Sequence, residues 1–123
     1  MYFKNDWMMR QTDTLVRFLA KTVLKKDTPD YEPGMWTNFT EGDLLHRQLV
    51  ELTARGDICA AEDLLYDRLD PKDTRCLSLG LDFYDRINRI PDDELEAAGF
   101  SREEVGDGVR ELMKLFGIPE LPF

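Results

Sequence analysis

Apolar residues recur at three- and four-residue spacing along most of this 123-residue chain, the period of helices that bury one face. Met8, Leu15 and Leu19, flanked by Met9, Val16 and Val23, predict a long N-terminal helix from about Asp6 to Lys26, with Asn5 or Asp6 as N-cap. Residues 27–39 then break the period. Pro29, Pro33 and Gly34 favour turns there, yet the segment carries Tyr31, Met35, Trp36 and Phe39, an unusually apolar set for a linker. Such residues either fold back over a core or form an exposed aromatic patch for a partner.

Helical spacing resumes at about Thr40. Leu44, Leu45, Leu49 and Leu52 predict a second helix to Arg55, and Gly56 suits the position just past its end. A third helix follows from Ile58 to about Leu69, with Asp57 as cap and small Ala60 and Ala61 allowing close approach. So short a connection makes the pair antiparallel neighbours. Asp70-Pro71-Lys72-Asp73 reads as a turn followed by another N-cap, and a fourth helix is expected from about Pro71 to Ile90, with two apolar rows, Cys76-Leu79-Phe83-Ile87-Ile90 and Leu77-Leu81-Tyr84, which mark a central element. Gly80, inside it, is expected at a close helix contact. Pro91 opens a short acidic helix that Gly99 ends. Ser101-Arg102-Glu103-Glu104 reads as a capping box for a last helix to Phe116, with Val105, Val109 and Leu112 on its core face. The tail from Gly117 to Phe123, with Pro119 and Pro122, is expected to be extended. No alternating β-branched run predicts a strand. The expectation is one all-α domain over 1–123, a compact antiparallel bundle or short superhelix of five to six helices. By area scaling such a chain buries about two thirds of its unfolded surface, enough for a core without staples.

Composition narrows the class. The chain is 42% hydrophobic and 33% charged, which fits a globular domain. No apolar run approaches the ~18 residues of a membrane span, and the N-terminus lacks the basic-then-apolar pattern of a signal peptide. Two cysteines without a close motif fit free thiols in a reducing, cytoplasmic setting. A net charge of −9 argues against a nucleic-acid partner. That charge is uneven: residues 1–26 carry a balance of +4 and the remainder −13.

The spacing of Leu45, Leu49, Leu52, Gly56, Ala61, Leu65, Leu69 and Pro71 resembles a tetratricopeptide-type helical hairpin. No second copy follows, since Ile90 stands where a glycine is expected. Across nearly its full length the chain resembles a family of small uncharacterised helical proteins from Gram-positive, clostridia-like bacteria. The likeness rests on Asp6-Trp7, Met9-Arg10-Gln11, Phe18-Leu19-Ala20-Lys21, Gly56-Asp57, Ala61-Glu62 and Phe100-Ser101 with Glu103-Glu104. It implies an all-α cytoplasmic domain and no particular activity.

Catalytic and cofactor signals are thin. His46 is the only histidine. With Asp43 it forms one carboxylate–imidazole pair, whereas di-metal bundles need two such pairs. His46, Cys59 and Cys76 lie on three separate helices, a weak zinc signal, and both thiols read as small packed groups. Glu62, Asp82 and Asp85 fit solvated helix faces beside arginines. No EF-hand loop, phosphate loop or dinucleotide fingerprint is present. These observations point to no catalytic residue, metal or cofactor. The leading expectation is a non-catalytic protein–protein interaction module, with self-association as a homodimer one of its forms. Its candidate contact residues are Trp7, Met8, Arg10 and Arg17 on the first helix and Tyr31, Trp36 and Phe39 on the linker. The alternatives are peripheral membrane association through the basic amphipathic first helix, or a small metal- or ligand-binding protein.

Overall fold

The structure, a computed structural model, describes residues 2–119. Six helices make up the described chain: α1 (Tyr2–Thr22), α2 (Thr40–Ala54), α3 (Ile58–Arg68), α4 (Thr74–Asn88), α5 (Asp92–Ala97) and α6 (Arg102–Leu115). No strand occurs among the described residues, and the fold is an all-α bundle.

Helix α4 is the axis around which α1, α2, α3 and α6 pack, as its two apolar rows require. Leu77, Leu79, Leu81, Phe83, Tyr84 and Ile87 are all buried along it. α1 crosses antiparallel to α4: Asn88, at the end of α4, donates through Nδ2 to the Met9 carbonyl at 2.9 Å. α6 is antiparallel too, with Gly80 against Leu112 and Gly108 against Tyr84. α1 and α6 therefore run side by side in the same direction. The two glycines are what lets α6 sit so close. A Cβ at Gly108 would meet the Tyr84 ring at 2.3 Å, and one at Gly80 would meet a Leu112 methyl at 2.6 Å. On the other flank α2 runs with α4 and α3 returns against it, forming the hairpin that the short Gly56-Asp57 link demands.

Local signals explain most boundaries. Ser101 and Glu104 form the full capping box of α6. α4 starts at Thr74 rather than Pro71, because Asp70 to Asp73 close a turn and the Asp73 side chain accepts from the Arg75 N–H at 3.0 Å. α1 is displaced from the expected span. It begins at Tyr2 and ends at Thr22, where Lys25 adopts a left-handed φ of 58° and the Lys26 N–H returns to the Ala20 carbonyl at 2.9 Å. This is the usual helix-ending bond, made here without the glycine that would have announced it. The expected extended tail lies partly outside the described residues.

Two further expectations are corrected. Cys59 is exposed, and only Cys76 is buried. Asp82 and Asp85 do not face solvent. With Ser78 and Asn88 they form a polar stripe along α4 at three- and four-residue spacing, and each is at most 3% exposed. Residues 27–39 and α1 cover it.

Candidate interaction surface

The polar stripe of α4 decides where the linker lies. Asp82 accepts the Tyr31 N–H at Oδ1 (2.9 Å), while its Oδ2 faces His46 Nε2 at 3.2 Å and accepts Arg86 Nε at 2.8 Å. Burial pushes the Asp82 carboxyl up, but these three bonds outweigh it and hold the group below the ordinary carboxylate value. The Tyr31 ring lies on His46, with centroids 4.8 Å apart, and its hydroxyl donates to Asp43. Asp43 also accepts the Gly34 N–H at 3.1 Å. The Tyr31 hydroxyl, followed by the Gly34 N–H, holds the Asp43 carboxyl low. One turn back along α4, Trp36 Nε1 donates to Ser78 Oγ at 3.2 Å. The Arg75 guanidinium covers the Phe39 ring at 4.4 Å. Segment 27–39 is thus a strap whose backbone and aromatic side chains are tied at successive points to α2 and α4.

This arrangement has little chemistry to offer. Among the described residues the His46–Asp82 pair makes no hydrogen bond to a serine hydroxyl or a thiol, and the Ser78 hydroxyl, one turn earlier on α4, is bound to the Arg75 carbonyl and the Trp36 indole. Cys76 lies six residues before Asp82 on α4, about 9 Å in rise, and burial raises its thiol rather than activating it. No group of three metal-ligating side chains exists among the described residues.

Of the seven candidate contact residues, the strap three are packed. Tyr31 is 2% exposed, and Trp36 and Phe39 are half-buried against the core. The α1 four divide. Met8 is half-buried. Arg17 is half-buried and occupied, with Asp13 at 3.1 Å and Asp85 at 3.8 Å. Trp7, at 58% exposure, stands out with Arg10, Gln11 and Thr14 around a shallow depression of about 200 Å³. Phe18, 39% exposed, and exposed Lys21 continue the same face. The opposite face of α1 is committed to the core through Leu15, Val16, Leu19 and Ala20. Arg10, Lys21 and Lys25 make no ion pair among the described residues, unlike Arg17, Arg86, Arg89 and Arg102. From Trp7 to Lys21 the outer face of α1 is therefore a stripe of exposed aromatic groups with the unpaired cations Arg10 and Lys21, about 21 Å long at helical rise, and Lys25 follows just past the helix end.

Opposite chemistry gathers between α3 and α6. Glu62, Glu104, Asp107 and Glu111 surround Tyr66 in a cup of about 380 Å³. Its floor is fixed by hydroxyl bonds. Tyr84 donates to Glu62 at 2.7 Å, and Tyr66 donates to the Gly108 carbonyl at 3.1 Å. Burial raises the Glu62 carboxyl, partly offset by the Tyr84 hydroxyl.

The sequence reading missed the α4 stripe. The signal was present, because Ser78, Asp82, Asp85 and Asn88 share one helix face, but polar residues on one face read as solvated when nothing shows what covers them.

The model of a family of unknown function (DUF6483) matches residues 2–117, nearly the whole chain. The chain belongs to the DUF6483 family. No curated protein and no solved structure matches it. This membership agrees with the expected likeness to uncharacterised helical proteins, and it assigns no activity to the surfaces described above.

Proposed function

We propose that this chain is a non-catalytic protein–protein interaction module whose contact surface is the outer face of α1, with Trp7 at its centre. The observation that carries the reading is the exposure of Trp7 beside Arg10 on a helix whose other face is fixed in the core. Tryptophan, with an apolar body and a donor N–H, and arginine are both enriched at the energetic centres of protein interfaces. The α2–α3 hairpin, with its tetratricopeptide-like spacing, supports the same reading as a scaffold element. A cytoplasmic setting agrees with the free thiols.

The test is capture of partners from host lysate with tagged wild-type, Trp7→Ala and Trp36→Ala chains, each checked for folding by circular dichroism. Partners lost with Trp7→Ala and kept with Trp36→Ala support the reading. Partners kept with Trp7→Ala overturn the assignment to α1.

A second reading rests on the same stripe. Aromatic groups with Arg10, Lys21 and Lys25 also suit the headgroup region of an anionic membrane. Among the described residues no helix is long and apolar enough to cross a membrane. The apolar stripe that a surface-lying helix would insert is here turned into the core, which favours the protein partner. Cosedimentation with phosphatidylserine vesicles that is lost in Trp7→Ala would reverse that preference.

A further inference from the structure

We propose that the partner of the α1 face is a second copy of this chain, seated through its α3–α6 cup. This rests on the reading of α1 as the contact surface and names its occupant. The argument is charge complementarity. α1 presents Trp7 with the unpaired cations Arg10 and Lys21. The cup presents Glu62, Glu104, Asp107 and Glu111 around a Tyr66 wall; Asp107 and Glu111 have only exposed neighbours on their own helix, Arg110 at 3.4 Å and Lys114 at 3.5 Å, so the concavity keeps an acidic balance that suits a guanidinium and an indole. The chain thus carries both halves of one interface.

The two halves lie on different sides of the bundle. α1 packs on α4 and α6 and turns its Trp7 edge outward, whereas the cup opens between α6 and α3, where Tyr66 reaches Gly108. Contact between unlike patches is head-to-tail, and it grows into a ring or an open chain rather than closing by itself as a two-fold pair. The net charge of −9 opposes association at long range. At about 0.15 M salt the screening length is about 8 Å, so whole-body repulsion is damped while groups in contact still attract. Association is therefore expected at physiological salt and not at very low salt.

The experiment uses the full chain and light scattering coupled to size exclusion, near 0.15 M salt. One variant, Arg10→Glu with Lys21→Glu, reverses the helix face and keeps the cup. The other, Asp107→Lys with Glu111→Lys, reverses the cup and keeps the helix face. All four positions are exposed, and circular dichroism checks that both variants fold. The wild type is expected above monomer mass, each variant alone at monomer mass, and their equimolar mixture again above monomer mass, because each reversed patch meets its opposite charge on the other variant and head-to-tail growth resumes. A monomeric wild type overturns the proposal, as does a variant that still self-associates or a mixture that stays monomeric. If the wild type is monomeric while lysate capture through Trp7 still finds another protein, the self-docking inference fails and the reading of α1 as a contact surface stands.

Discussion

The two tryptophans occupy the two faces that flank α4, and they have opposite fates. Trp36 lies in a Pro- and Gly-containing loop, the setting in which side chains are usually solvent-exposed. It is nevertheless half-buried, with its indole N–H satisfied by Ser78. Trp7 lies on a long amphipathic helix, the setting in which large apolar groups usually point inward, and it is the most exposed large hydrophobic residue described. The difference comes from what lies beneath each. Under the strap, α4 offers fixed acceptors, Ser78 and Asp82, that would be costly to bury without donors. The strap supplies those donors through Trp36 and the Tyr31 N–H, and the aromatic rings follow them inward. α1 needs only one face to close the core, and Leu15, Val16 and Leu19 already provide it. Trp7 falls outside that arc and has no buried acceptor to reach. Loop or helix is thus a poorer guide to burial than the polar groups on the surface being covered.

The largest test of this contrast is Asp82→Ala. It removes the acceptor shared by the strap backbone, His46 and Arg86, and should cost about 3 kcal/mol or more in urea unfolding, as broken buried charge networks do. A loss under about 1 kcal/mol would mean that apolar packing alone holds the strap. Trp36→Ala should come next, at about 2 kcal/mol, below a fully buried tryptophan because the ring is only half covered.

The two aspartates of α4 sharpen the comparison through pH. Asp82 is held below the ordinary value of 3.8 by its donors, so its stabilisation is complete above that value and is lost as pH falls through the lowered one. Asp85 is pushed above 3.8 by burial, more than Arg89 and Arg17 pull it down. Its Oδ1 and the Asn88 Oδ1 have no hydrogen-bond partner. Stability should therefore fall as pH rises from 3.8 through the raised value of Asp85. In urea midpoints followed against pH, Asp82→Asn should flatten the acid limb, and Asp85→Asn should shrink the decline on the mildly acidic side, leaving the part that comes from Glu62, whose carboxyl burial also raises. If both curves match the wild type, the stripe under the strap and α1 is electrostatically idle. The smallest stability effect belongs to Trp7→Ala, within about 0.5 kcal/mol of wild type. A loss comparable to that of Trp36→Ala would place Trp7 in the core and leave α1 without its central contact residue.

Much of the fold was legible because its determinants are local. The two apolar rows of α4 marked a central helix, Gly80 marked a close crossing, and Ser101 with Glu104 marked a helix start that the structure reproduces. Gly56-Asp57 forced the α2–α3 hairpin. The misplaced ends have equally local reasons. Lys25 ends α1 in a conformation usually left to glycine, so nothing in the residue type signalled it. Asp73, not the region of Pro71, caps α4. The candidate surface was half legible. Trp7 and Arg10 are where an outward helix face would put them. Arg17 could not be told from Arg10 by spacing, because each has an aspartate four residues earlier, Asp13 and Asp6, and only the fold brings Asp85 of another helix to Arg17. Phe18 and Lys21 fit the membrane-surface alternative by type but are not among the expected protein contacts, since exposure depends on which arc of α1 the neighbours claim.

Residue types and their period settled the helices, their order and the antiparallel hairpin, because turns, caps and amphipathic stripes act over a few residues. Tertiary structure alone decided that α4 buries a polar stripe beside its apolar rows, that a loop rather than a helix covers part of it, and that one tryptophan turns inward and the other outward. Those outcomes depend on hydrogen bonds between residues as far apart as Tyr31 and Asp82, and on a choice of helix faces made jointly by α1, α4 and α6. A short window of sequence contains neither.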